Sequence, residues 1–220
     1  MQTSFSQGQK RSALYVDGFN LYHPINDMSE PFLKWASLWK LGEILSAPLG
    51  LTLQKATICT ALPLDDQAKK DRHNTFLAAQ RAHGVTVLDG HYMTEPVTGK
   101  RTEKQSDINL ALSIMFDGLD DVYDTAFLLT ADSDQAATGR FFAERLPAKS
   151  LISVAPPGRR PPEKILPYTF RAFSMKKYDL ECCVMPEMVT GKTGRVINRP
   201  ASYAPPGWWV HPDNRPKKNG

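Results

Sequence analysis

Cysteine is scarce, with three residues in a chain of 220, two of them adjacent (Cys182, Cys183). That excludes a disulfide framework and the paired spacings of a zinc site, and it makes a reducing cytosol the expected compartment. Long apolar runs are also missing. No stretch approaches the roughly 18 apolar residues that a membrane span requires. The opening MQTSFSQGQK holds no apolar core of a secretory signal. A soluble, cytoplasmic protein with no membrane partner is expected. His23, His73, His83 and His91 are scattered without ligand spacing, and no nucleophile elbow of a serine hydrolase occurs. No internal repeat is visible.

Two near-misses narrow the field further. The segment Val189-Thr-Gly-Lys-Thr-Gly194 resembles a phosphate-binding P-loop, but the glycine required five residues before the Gly-Lys pair is replaced by Pro186. A hairpin turn is the simpler reading. Asp17-Gly18 could open a haloacid-dehalogenase phosphatase motif, yet Phe19 stands where that chemistry needs its second aspartate.

What is present is enough apolar residue for a proper core (41%) and a net charge of +4. The charge is unevenly placed. Residues 145–177 carry Arg145, Lys149, Arg159, Arg160, Lys164, Arg171, Lys176 and Lys177 against Glu144 and Glu163, and the tail adds more. A basic surface beside an acidic pocket suits a polyanion, although many cytosolic proteins are this basic without touching nucleic acid.

Apolar runs and helical patterns alternate along the chain. Strands are expected at 12–16, 51–61, 85–88, 125–130 and 150–154, with a short last one at 170–174. Helices are expected at 31–47, 65–83, 106–119 and 134–146, and 91–104 reads as a loop or hairpin. This alternation predicts an α/β fold, a three-layer α/β/α arrangement around a mostly parallel sheet. From about residue 179, Pro186, Gly191, Gly194, Pro200, Pro205, Pro206, Gly207 and Pro212 break any long element. The expected organisation is a flexible 1–10, a domain at 11–178, and a basic, irregular extension at 179–220 in which Trp208-Trp209 favours docking on the domain.

Three acidic segments stand out: ALYVDGFN at 13–20, KQSDINLAL at 104–112 and FLLTADSD at 127–134. Each has an ordinary explanation. Asp17-Gly18 is a turn signal. Ser106 is a good helix cap, with Asp107 as a dipole partner in the first turn. Asp132, Ser133 or Asp134 could cap the next helix. Ile108, Ala111, Leu112, Met115, Phe116 and Leu119 form an apolar stripe expected to be buried, with Asp107 at its edge. Geometry joins the segments. In a doubly wound sheet the chain reverses at a switch point, where ligands bind beyond the carboxyl ends of the strands. If strand 12–16 neighbours strand 125–130, Asp17, Asp132 and Asp134 meet there and Asp107 approaches from its helix. Two carboxylates about 4 Å apart repel by about 4 kcal/mol at an effective dielectric near 20. Such a group would stay partly protonated or hold a divalent cation, and an all-oxygen set favours Mg²⁺ or Mn²⁺ over zinc.

The order YVDGFNL, KQSD, LTADSD resembles the NYN domain family, a branch of the PIN-like nucleases that includes the LabA-like bacterial proteins. The resemblance covers roughly residues 11–178, and the 185–200 segment is similar to the C-terminal extension of bacterial relatives. It implies a metal-dependent ribonuclease with RNA as substrate. Asp17, Asp107, Asp132 and Asp134 would be the metal-holding acids, Asn20 a further catalytic residue, and Lys104 and Ser133 substrate contacts. Ala131 in place of a glycine and Gln135 in place of an apolar residue depart from the family pattern. A homodimer, or another protein engaged by the C-terminal extension, is a further expected partner. A non-catalytic RNA-binding or regulatory module, or a phosphatase or nucleotidase, are the alternatives.

Overall fold

The computed structural model describes residues 10–61, 66–94 and 101–216, with the side chains of 91–94 and 101–104 outside that description. The expected flexible N-terminal residues 1–9 lie outside it as well. In β1 (Arg11–Asp17), six successive residues from Ser12 onward are buried, and in β6 (Thr125–Leu129) all five are. Strands covered on both faces belong at the centre of a parallel sheet with helices on either side.

Around them lie β2 (Thr52–Thr60), β3 (Thr86–Asp89), β7 (Ser150–Ala155) and β8 (Arg171–Ser174) in the order β3-β2-β1-β6-β7-β8, every pairing parallel. Alternate residues of each strand face opposite layers. Leu14, Val16, Phe127 and Leu129 pack with Leu21 and Ile25 of α1 (Gly18–Asp27), Leu41 of α2 (Leu38–Ser46) and Leu77 of α3 (Gln67–Ala82). Ala13, Tyr15, Ala126 and Leu128 pack with Leu110 and Ile114 of α4 (Ser106–Leu119) and Phe142 of α5 (Ala136–Arg145). The expected three-layer α/β/α architecture is what forms.

The chain runs from β1 outward to β3, crosses back to β6 and continues outward to β8. The reversal sets β1 directly against β6, with Val16 opposite Leu129. Everything that follows about the site depends on that adjacency.

Several local expectations change. A helix follows Asp17 immediately, through Pro24, where only a turn was expected. The single helix expected at 31–47 is two: a 3₁₀ segment (Pro31–Trp35), then α2. Between them Ala36 is extended and bridges Val184, and the Ser37 hydroxyl caps α2 by accepting from Lys40 N at 3.2 Å.

The apolar stripe on α4 is turned outward. Ile108, Leu112, Phe116 and Leu119 are exposed, while Ser106, Leu110, Ile114, Asp117 and Gly118 face inward. The inward face is chosen by fit and polarity. Gly118 lies so close to Tyr123 that an added Cβ would stand 2.7 Å from its hydroxyl. Asp117 accepts from Tyr15 Oη at 2.7 Å and Lys55 Nζ at 2.8 Å.

Segments β4 (His91–Thr94) and β5 (Arg101–Lys104) pair antiparallel, the hairpin alternative for that stretch. In the extension, β9 (Met188–Thr190) and β10 (Val196–Asn198) form a second hairpin around Gly191-Lys192-Thr193-Gly194, with Gly194 in the left-handed region (φ 80°). Met185, Val189, Ile197 and Tyr203 share a small core with Trp35 and Ala79. Of the tryptophan pair, Trp209 docks on Phe32 (ring centroids 5.1 Å apart) and Trp208 is exposed. α6 (Lys177–Glu181) joins domain and extension.

Three of the basic residues at 145–177 are used internally. Lys149 pairs with Asp121 at 2.8 Å, Arg159 with Asp27 at 2.6 Å and Lys177 with Glu30 at 2.6 Å. These three ion pairs tie separate segments of the chain together.

Candidate active site

Asp17 ends β1 and caps α1. Its Oδ1 accepts from Phe19 N at 3.1 Å and Asn20 N at 3.0 Å, satisfying two of the unpaired amides of a helix start. Its Oδ2 accepts from Asn20 Nδ2 at 2.6 Å and from Thr130 Oγ1 at 3.1 Å. Gly18 is required beside it, because a Cβ there would stand 2.7 Å from Thr60 Cβ and 2.9 Å from the Cys59 carbonyl oxygen. The Asp-Gly pair is therefore a helix cap pressed against β2.

The β6 side mirrors this. Thr130 Oγ1 also accepts from Asp132 N at 3.0 Å, and the Asn20 amide oxygen accepts from Ala131 N at 3.1 Å. Asp132 in turn caps the 3₁₀ turn Ser133–Gln135 by accepting from Asp134 N at 2.9 Å. Ser133 and Asp134 are exposed at the rim. Asn20 and Thr130 thus fasten the two strand ends to each other.

Asp107 arrives from the other side, in the first turn of α4 and exposed. Ser106, expected as the cap, is instead the first helical residue and is buried. The cap position belongs to Gln105, held in the left-handed region at φ 79°. Lys104 ends β5 two residues before α4, and its side chain is outside the described residues.

Residues 11–146 match the NYN domain. The chain belongs to the NYN domain family. It is therefore a member of the PIN-like nuclease superfamily. Its fold is similar to the crystal structure of a protein of unknown function from Vibrio parahaemolyticus, with a TM-score of 0.57 and 15% identity over 79% of this chain and 98% of that one. At that identity the likeness shows the fold alone. No curated protein matches the sequence.

The electrostatics of this NYN pocket centre on Asp17. It is 4% exposed, and burial pushes its carboxyl up to about 6. The hydrogen bond from Asn20 N opposes that rise, the negative charge of Asp107 adds to it, and the Thr130 and Asn20 side chains hold it back. The two acids repel across the pocket. Among the described residues, however, no three aspartate, glutamate, histidine or cysteine side chains come together as a group able to hold a metal ion. What the pocket offers is Asp17, with both oxygens already accepting hydrogen bonds, and the charge of Asp107 acting on it. That does not fit an all-protein cage; Mg²⁺ is commonly held by one or two carboxylates with water and substrate phosphate completing the octahedron.

Two residues of the site carry no sequence signature of their place in it. Thr130 is the last residue of an expected strand, and only its neighbours across the sheet reveal its hydroxyl as the link between Asp17 and Asp132. Gln135 was read as a departure from the family pattern. It is buried, its Oε1 accepts from Thr138 Oγ1 at 2.8 Å, and its Nε2 is thereby aimed at Asp107 Oδ1, 3.3 Å away. The only sequence signal was the polar residue itself at a position where the helix faces the sheet.

Proposed function

We propose that this NYN protein is a divalent-metal-dependent ribonuclease that hydrolyses RNA phosphodiester bonds in the cytoplasm. One observation carries the reading: a buried carboxyl at the β1–β6 switch point, raised by burial and by a second acid, so that a cation beside it would relieve it. Asp17 and Asp107 would hold Mg²⁺ or Mn²⁺, with Asp132 reaching it through water and Asp134 at the rim. The ion would supply polarisation of a phosphoryl oxygen and a water of lowered pKa. Asn20 holds Asp17 in a single orientation while joining it to the Ala131 backbone. Ser133, exposed beside Asp132, would donate to a phosphate oxygen, and Lys104 would offset its charge. Gln135 keeps Asp107 turned toward the pocket.

The test is cleavage of a single-stranded RNA with and without Mn²⁺ or Mg²⁺, using wild-type protein and the Asp17→Asn and Asp132→Asn variants. Loss of cleavage in both variants and in chelator is expected. Activity surviving both substitutions would overturn the assignment. The absence of a three-ligand group among the described residues favours a second reading, an RNA-binding or regulatory NYN module without turnover. Metal binding by calorimetry with no hydrolysis of RNA or DNA would select it, and turnover of an aryl phosphate alone would select a phosphatase.

A further inference from the structure

A separate cavity of about 190 Å³ opens beside Asp17 on its β2 side, bounded by Gly18 and Phe19 of α1, Thr60 of β2, and His73 of α3. Tyr203, from the C-terminal extension, also lines it. Its walls combine three kinds of group. Flat faces come from Tyr22, Tyr203 and the Phe19–His23 pair, whose rings lie 6.4 Å apart at 25°. A cation comes from Lys69, whose ammonium lies 5.4 Å from the Tyr22 ring centroid; Lys34, 4.3 Å from the same centroid, stands outside the cavity wall and donates to Tyr22 Oη and Asn26 Oδ1. A neutral hydrogen-bonding edge comes from His73, whose Nε2 lies 3.4 Å from Thr60 Oγ1 and whose pKa burial pushes down to about 4.

Aromatic faces, an uncharged imidazole and an ammonium group in the wall are what a nucleotide needs: a surface to stack the base, a partner for its edge and charge for its phosphate. An apolar ligand would leave Lys69 and His73 without a partner, and a simple anion would leave the rings without one. Asp17 is the residue before Gly18, so whatever fills the cavity lies next to the proposed scissile position. We infer that this cavity binds the nucleobase of a nucleotide flanking the cleaved phosphate, with the C-terminal extension contributing Tyr203 to that site. The inference rests on the ribonuclease reading for its location but is tested without cleavage.

The experiment is calorimetric titration of the full chain, in chelator, with each of the four ribonucleoside 5′-monophosphates and with ribose 5-phosphate. At least one nucleotide should bind about tenfold or more tightly than the baseless sugar phosphate, as stacking on an aromatic face provides. Tyr22→Ala should abolish that preference. Lys69→Ala should weaken nucleotide and sugar phosphate alike. Equal affinity for all five ligands, or a preference unchanged in Tyr22→Ala, would overturn the inference. Base-dependent binding by a chain that never cleaves RNA would retain the pocket and remove the ribonuclease reading. Cleavage without base-dependent binding would do the reverse.

A second and independent observation concerns the outward face of α4. Ile108, Leu112, Met115 and Leu119 follow a four-three-four spacing, and Phe116 and Phe141 flank them. Ile108, Leu112, Phe116, Leu119 and Phe141 leave on the order of 500 Å² of apolar surface in water, at the upper end for a lone monomer. A stable dimer buries about 800 Å² per partner, roughly two-thirds of it apolar, so the face has the extent of one dimer core. Ridge and groove lie side by side: the α4 seam borders a cavity of about 600 Å³ between α4 and α5. Leu112, Met115 and Leu119 of the seam form one wall of that groove, so seam and groove make one continuous face that a two-fold axis would set against its own copy. We propose that a second copy of this chain covers the face, each α4 lying in the other's groove. Sedimentation should give a mass near twice 24.6 kDa, and Leu112→Arg, an exposed position, should give a folded monomer by circular dichroism. A monomeric wild-type chain at 100 µM, or an intact Leu112→Arg dimer, would overturn it.

Discussion

The Asn20 side chain donates to Asp17 Oδ2 at 2.6 Å and accepts from Ala131 N at 3.1 Å, so one amide spans the ends of β1 and β6. The two residues are three apart in sequence, while Ala131 is more than a hundred away. Asn20→Ala removes both bonds and leaves a buried carboxylate oxygen and a backbone N–H short of a partner. A loss of about 1–3 kcal/mol in urea unfolding is expected. Asn20→Asp should be worse at pH 7, because a like charge replaces a donor. Equal stability of wild type and Asn20→Ala would show the bridge to be without weight.

Two buried groups give opposite pH trends over one window. The Asp17 carboxyl, raised from 3.8 to about 6 in the folded state, makes stability fall as pH rises through that interval, by about 3 kcal/mol. The His73 imidazole, lowered from 6.5 to about 4, makes stability fall as pH drops, by about 3 kcal/mol at most. Between pH 4 and 6 the two oppose each other, and His83, whose imidazole burial also pushes down, adds to the His73 trend. Urea midpoints at pH 4, 5, 6 and 7 should therefore vary less in wild type than in a variant lacking Asp17. Asp17→Asn should leave stability climbing with pH, and His73→Gln should leave it falling. Parallel pH profiles for all three proteins would contradict this.

Asp117 is the polar anchor of α4. Asp117→Ala strands the Tyr15 hydroxyl and the Lys55 ammonium beneath the helix, so a cost of about 3 kcal/mol is expected. Asp117→Asn, which keeps one acceptor for Tyr15, should recover part of it. Thermal unfolding of both variants, compared with wild type, measures the difference.

Gln105 occupies the left-handed region directly before α4 at φ 79°. For an L-residue that conformation costs about 1–2 kcal/mol, and glycine avoids it while losing more freedom on folding. Gln105→Gly is expected to stabilise by about 0.5–1 kcal/mol without altering Asp107. A destabilised variant would mean that the Gln105 side chain makes a compensating contact.

The alternation of apolar strands and amphipathic helices, the acidic strand ends and the NYN signature were legible in the residues, because each is a local pattern of a few neighbours along the chain. The hairpin of 188–198 was legible for the same reason, from its glycines and the missing P-loop residue. Helix α1 was not, since a glycine start and an internal proline both argue against a helix, and it takes Asp17 as a cap and burial of Leu21 and Ile25 to outweigh them. Nor was the break at Ala36, which exists because a residue 148 positions later pairs with it. The face of α4 is the clearest case: its apolar stripe predicts burial, but contact with Tyr15, Lys55 and Tyr123 turns the face bearing Asp117 and Gly118 inward. Close packing and buried hydrogen bonds decide between faces on energies that periodicity does not contain. By the same rule, the sequence determined that Asp17 would end a strand, and only the parallel pairing of β1 with β6 decided that Thr130 and Asn20 would hold it there with Asp107 close enough to raise its pKa.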